Sequence, residues 1–178
     1  MSLMAFISLF PLSMARKALV LAVLAWLQAC TPTYNWRETR GADAPYVVLM
    51  PAKPSSHSRP IDLDGIKVTM TMTAAEVDGV TFAVGTAELP DAAQAATALA
   101  AMKTAMVRNL AGTVKQERQL AAPAVPAMSE IEVAGQGRLM VARFAARERR
   151  VYQAVVVGKE KDVSREAIDT FLTSFKPG

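Results

Sequence analysis

The sequence predicts an α+β fold: an antiparallel sheet of hairpins packed against one long central helix and one C-terminal helix. Three patterns predict it. Ile66, Val68, Met70 and Met72 alternate with Lys67, Thr69, Thr71 and Thr73, the period of two of a strand with one buried face. Ala95, Leu99, Met102, Met106 and Leu110 recur at helical spacing and form one apolar stripe. Ile168, Phe171, Leu172 and Phe175 fall at i, i+3, i+4 and i+7 near the end of the chain.

Within residues 46–178, read as one domain, the elements follow in order. Tyr46-Val47-Val48-Leu49-Met50 is a short apolar strand stopped by Pro51. Pro51, Pro54 and Pro60 with Ser55, Ser56 and Ser58 predict an irregular loop. The Ile66 strand and a second strand over about Val80 to Ala87 flank Asp78-Gly79, a hairpin pair in which glycine takes positive φ freely. Asp91 after Pro90 suits an N-cap for the central helix, and Gly112 suits its stop. Another strand is expected from Thr113 to Leu120. Two prolines between Ala121 and Ala127 then predict a loop, and Ile131 and Val133 a short strand broken at Gly135-Gln136-Gly137. Strands over Arg138–Ala146 and Arg149–Gly158 follow, with a turn near Arg147-Glu148. Ser164 caps the last helix, and Pro177 ends it. No segment repeats at a fixed period, which excludes solenoids.

Three patches resemble PsbP-like domains: Tyr46 through Pro54, the Asp78-Gly79 hairpin, and Tyr152-Gln153-Ala154-Val155-Val156-Val157-Gly158 running on to Phe171-Leu172-Thr173-Ser174-Phe175-Lys176. The resemblance spans about residues 46–176 in element order. It implies a sheet closed against helices by an aromatic strand and a terminal helix. Plant members of that family assist photosynthetic complexes. No binding residue of theirs is matched, so no function is carried over.

The amino-terminal segment points to a place in the cell. Arg16-Lys17 precedes the apolar run Ala18–Leu27, a positive region and short h-region of a secretory signal. A run of that length is too short for a hydrocarbon core of ~30 Å, which needs about 20 residues. Its ending, Leu27-Gln28-Ala29-Cys30, resembles the lipobox of bacterial lipoproteins. The resemblance implies diacylglyceryl transfer to the Cys30 sulfur, cleavage between Ala29 and Cys30, and acylation of the new amino terminus, palmitate being a typical chain. Several chains are what durable anchoring requires, since one acyl chain holds a protein only marginally. Thr31 stands where an aspartate would resemble an inner-membrane retention signal in enteric-type bacteria, so the outer membrane, facing the periplasm, is expected. Met1 to Ser13 is apolar and uncharged, and Met14-Ala15-Arg16-Lys17 makes the tidier start of such a signal; initiation at Met14 is expected, with a long n-region as the alternative. Residues 30–45, polar and carrying Pro32, Gly41 and Pro45, predict a tether. Tyr34 and Trp36 within it suit either the membrane interface or packing on the domain.

Composition narrows the chemistry. One cysteine excludes a disulfide framework within the chain, and one histidine makes a zinc or iron site improbable. The formal charge is +4, but Arg16 and Lys17 belong to the signal; the other 149 residues hold 18 basic and 16 acidic side chains. So small an excess gives no footprint for nucleic acid. The expected partners are the membrane, through the amino-terminal lipid, and an envelope protein, with no nucleic acid, metal or cofactor and no catalytic residues.

Several residues are candidates for chemistry. His57, among serines and prolines, lacks the rigid setting that a nucleophile–base pair needs and reads as exposed. Asp62-Leu63-Asp64-Gly65 lacks the further oxygen ligands of a calcium loop and reads as a turn. Arg143, Arg147, Arg149 and Arg150 crowd one hairpin with Glu148 among them. They read either as a contact for anionic headgroups or an acidic partner, or as a solvated edge whose charge discourages strand pairing. Three functions follow: a lipid-anchored interaction module; a binder of a small apolar or lipid ligand between sheet and helix, lined by Met102 and Met106; or an enzyme working through carboxylates such as Glu130 and Glu132, which would need raised pKa values.

Overall fold

Three two-residue turns set the register of the main sheet. Asp64-Gly65 (φ 56° and 86°), Asp78-Gly79 (51° and 76°) and Gln136-Gly137 (53° and 71°) each place both residues at positive φ, the twist that suits tight hairpins. The computed structural model describes residues 33–122 and 125–178. Ala29, Cys30 and the apolar run before them lie outside the described residues, as do Pro123 and Ala124 of the expected loop.

The expected α+β architecture is present, with an antiparallel sheet and two helices. Strands β1 (Arg37–Arg40) and β2 (Tyr46–Met50) begin the domain. One meander follows: β3 (Ser55–Leu63), β4 (Ile66–Val77) and β5 (Val80–Glu88). Helix α1 (Ala95–Leu110) leads to a second meander of β6 (Thr113–Ala122), β7 (Val125–Gly135), β8 (Arg138–Arg147) and β9 (Arg150–Lys159). Helix α2 (Arg165–Ser174) and the short β10 (Lys176–Pro177) close the chain. The meanders join where β5 pairs with β9, giving a seven-stranded sheet in the order β3-β4-β5-β9-β8-β7-β6. A second sheet, β1-β2-β10, is made from the two ends of the domain.

Both faces of the large sheet are covered. Helix α1 buries Ala98, Met102 and Leu110 against Ile66, Val68, Met70, Met140, Ala142, Phe144 and Val155. Helix α2 and the small sheet cover the other face, where Val48, Met50, Phe82, Val141, Tyr152, Ile168, Phe171 and Phe175 pack together. The inner strands are therefore apolar on both sides, which is why β8 and β9 read as nearly continuous apolar runs.

The structure corrects four expectations. The tether does not extend to residue 45: Tyr34 and Trp36 pack on Phe82, and Arg37–Arg40 pair with β2. The serine- and proline-rich stretch is an edge strand from Ser55, not an irregular loop. Ser56 and Ser58 hydrogen-bond Thr73 and Thr71 across to β4, each at 2.8 Å, and proline is tolerated at a sheet edge. The β7 strand is eleven residues long, not short, with Pro126 beside a register shift at its start, a place that proline accepts. Finally, Ala111, not Gly112, takes the left-handed conformation that ends α1 (φ 49°). Gly112 has a different role: a Cβ there would stand 2.7 Å from Val133 Cγ1 and 3.0 Å from the Ala134 carbonyl. A side chain would force the helix exit away from β7.

Both helix starts are capped as expected. Asp91 Oδ1 accepts from the Ala93 amide at 2.9 Å and opens a single 3₁₀ turn, Ala92–Gln94, that runs into α1. Ser164 Oγ accepts from the Ala167 amide at 3.3 Å.

Candidate functional site

The densest polar constellation is built by β6, β7, β8 and α2. Alternation along β7 turns Glu130 and Glu132 to the face that α2 covers. Glu130, 7% exposed, accepts from Arg118 Nη2 through Oε1 and from Arg143 Nε through Oε2 at 2.6 Å. Arg143 Nη1 also donates to the Leu172 carbonyl in the last turn of α2. A cation there suits the negative end of the helix dipole. Near the other end of α2, Arg165 grips Glu132 with both terminal nitrogens, at 2.6 and 2.9 Å. The helix is thus tied to the sheet at both ends. A cavity of about 180 Å³ beside it is lined by residues that include Gln116, Arg118, Glu132 and Asp169.

The chemistry of this cluster is charge neutralisation. Both oxygens of Glu130 are engaged by guanidinium groups. The hydrogen bond from Arg165 holds the Glu132 carboxyl below its ordinary value, against a smaller opposing effect of burial. That is the reverse of the raised value expected of a carboxylate acid.

The four arginines do not form one tip. Arg143 belongs to the cluster just described, partway along β8. Arg147, at the end of β8, and Arg149, in the turn, are exposed. Arg149 and Arg150 share Glu88 of β5, with Arg150 Nη2 at 2.9 Å from Oε2, and Arg150 also donates to the Asp43 carbonyl at 3.2 Å. The structure supplies this carboxylate from a strand some sixty residues away, which no local reading of the hairpin reveals. Glu130 was more accessible: counting outward from Gln136-Gly137 places it directly opposite Arg143.

The remaining candidates separate. His57 lies exposed in β3, opposite Met72. Asp62 Oδ1 accepts from the Gly65 amide at 2.5 Å and Asp64 occupies the turn, so both shape the hairpin into β4. Met102 is 2% exposed and Met106 half-buried, both packed in the aliphatic cluster under α1. The groove of about 580 Å³ between α1 and the β3–β4 turn is lined instead by Asp62, Asp64, Thr97, Ala101, Thr104 and Arg108, among others. Among the described residues no group of three or more histidine, cysteine or acidic side chains is placed to hold a metal ion. No helix among them is long and apolar enough to cross a membrane. No protein-family model matches this sequence, and a search of curated proteins finds no similar chain.

Proposed function

We propose that the chain is a bacterial envelope lipoprotein whose domain, held at a membrane through Cys30 and facing the periplasm, serves as a non-catalytic accessory module for an envelope protein. The outer membrane is the favoured location, given Thr31 after the cysteine. The observation that carries the proposal is the lipobox-like Leu27-Gln28-Ala29-Cys30 at the end of an apolar run, with no other cysteine in the chain. The domain supports it: the carboxylates Glu88, Glu130 and Glu132 are each engaged by arginines in ways that brace strands and a helix.

Metabolic labelling with palmitate, comparing the native chain with Cys30→Ala, tests the anchor, and a crosslinked pull-down from the same cells tests the module. The expected result is label and membrane retention lost with Cys30, together with an enriched envelope protein that depends on the anchor. Equal membrane retention of the unlabelled variant would overturn the anchor. A native pull-down that enriches no protein would overturn the accessory role.

A further inference from the structure

The position of the first packed residues along the chain fixes which end of the domain lies nearest the anchor. Tyr34 and Trp36 stack against each other, centroids 5.4 Å apart, and both meet the Phe82 ring at about 6 Å. The Asn35 amide bonds the Pro51 carbonyl at 2.8 Å, which holds this segment against the end of β2. Phe82 lies just inside the Asp78-Gly79 turn, and Thr81 pairs with Val157. The rings therefore belong to the end of the sheet that also carries that turn, the Gln136-Gly137 turn and Lys159. The β8–β9 turn with Arg147 and Arg149 is at the opposite end, separated by the length of β9, about 33 Å for ten residues.

Cys30 precedes Tyr34 by four residues, a covalent reach of at most ~14 Å. We infer that, in the lipidated mature chain, the end of the sheet bearing Tyr34 and Trp36 rests on the bilayer surface, the two half-exposed rings at headgroup level and the β8–β9 turn facing away from the membrane. This rests on the lipoprotein reading and adds an orientation to it. Rings with an apolar body and a polar tip favour that interface. Charge contributes little to the contact: exposed Arg37, Lys53, Arg138, Lys159 and Lys161 at this end are largely offset by exposed Glu76, Asp78, Glu160 and Asp162. Arg147, Arg149 and Arg150, which suggested an anionic surface, are at the wrong end for an anchor so short.

Cleavage before Cys30 removes Trp26 and leaves Trp36 as the single tryptophan of the mature chain, a built-in probe. The experiment reconstitutes the purified full-length lipoprotein into phosphatidylcholine vesicles whose acyl chains carry bromine near the headgroup. Trp36 fluorescence should fall at least about twofold relative to unbrominated vesicles, as for an interfacial ring. A dye on Glu148→Cys, in the far turn, should not be quenched, and adding phosphatidylglycerol should change neither signal. Intact mass separates the two readings. A mature chain without a lipid adduct overturns the lipoprotein reading and this one with it. A lipidated, vesicle-bound chain with Trp36 unquenched, or with the Glu148→Cys dye quenched as strongly, overturns the orientation alone.

Discussion

The two faces of the large sheet are packed by different chemistry. Under α1 the contacts are aliphatic and sulfur-bearing, with Phe144 the one aromatic ring among the described residues. On the other face lie Tyr34, Trp36, Tyr46, Phe82, Tyr152, Phe171 and Phe175, together with the buried Glu130 and its arginines. One continuous helix of sixteen residues covers the first face. Fragments from both ends of the domain cover the second: β1 and β2 from the start, α2 and β10 from the finish. A continuous helix needs only an apolar stripe to hold its place. Separate fragments have no chain continuity to align them, and here they are fixed by directional contacts: edge-to-face rings at 5.5 to 6.3 Å, Arg143 on the Leu172 carbonyl, and the Leu49 amide donating to Ser174 Oγ at 2.9 Å.

The comparison breaks most directly at Phe171, which is fully buried and meets Phe82 edge-on. Phe171→Ala is expected to cost about 3–5 kcal/mol in urea unfolding, whereas the shape-tolerant face should accept Met102→Leu for under about 1.5 kcal/mol. Equal losses at the two sites would remove the distinction. Next in size is Glu130→Gln, which strips the charge partner from Arg143, itself only 14% exposed; a loss of about 3 kcal/mol is expected. Pairing it as Glu130→Met with Arg143→Met should recover most of that, because the cost lies in the stranded charge. A double variant no more stable than Glu130→Gln would mean instead that the bond to Leu172 carries the effect.

The smallest effect sharpens the picture at the amino-terminal end of α2. Arg165 lowers the Glu132 carboxyl below its ordinary 4.5 in the folded chain, so in acid the unfolded chain binds this proton first. The pair's stabilisation is complete above the unfolded value and is lost as pH falls through the lower folded one. Arg165 is largely exposed, so the amount is under about 1 kcal/mol. Chemical denaturation of native and Arg165→Ala proteins should differ at neutral pH and converge in strong acid; a constant gap down to low pH would show that Glu132 is not involved.

Legibility in the sequence followed the same division. The α1 stripe and the Asp78-Gly79 hairpin are local patterns, and the structure contains both. The β7–β8 register was also within reach, through the turn at Gln136-Gly137. The second face was not. Its contacts join Lys176 to Val47 and Leu49 to Ser174, pairs between distant segments that leave no periodic trace. Serine and proline in β3 imitated a loop because an edge strand needs only one hydrogen-bonded side.

The closure of the small sheet has a consequence for biogenesis. Strand β2 pairs with β10 on one side, and the Gly178 amide bonds the Pro45 carbonyl at 2.7 Å, so the first and last segments of the domain are packed together. A chain made from its amino terminus can pair β3 to β5 and, later, β6 to β9 in turn. It cannot seal the aromatic face until residues 164–177 have followed. Until then the sides of Phe82 and Tyr152 that meet Phe171 and Phe175 stay uncovered, and the half-finished domain exposes an adhesive aromatic surface. The wait for residues 164–177 is the interval in which a chaperone has most to protect.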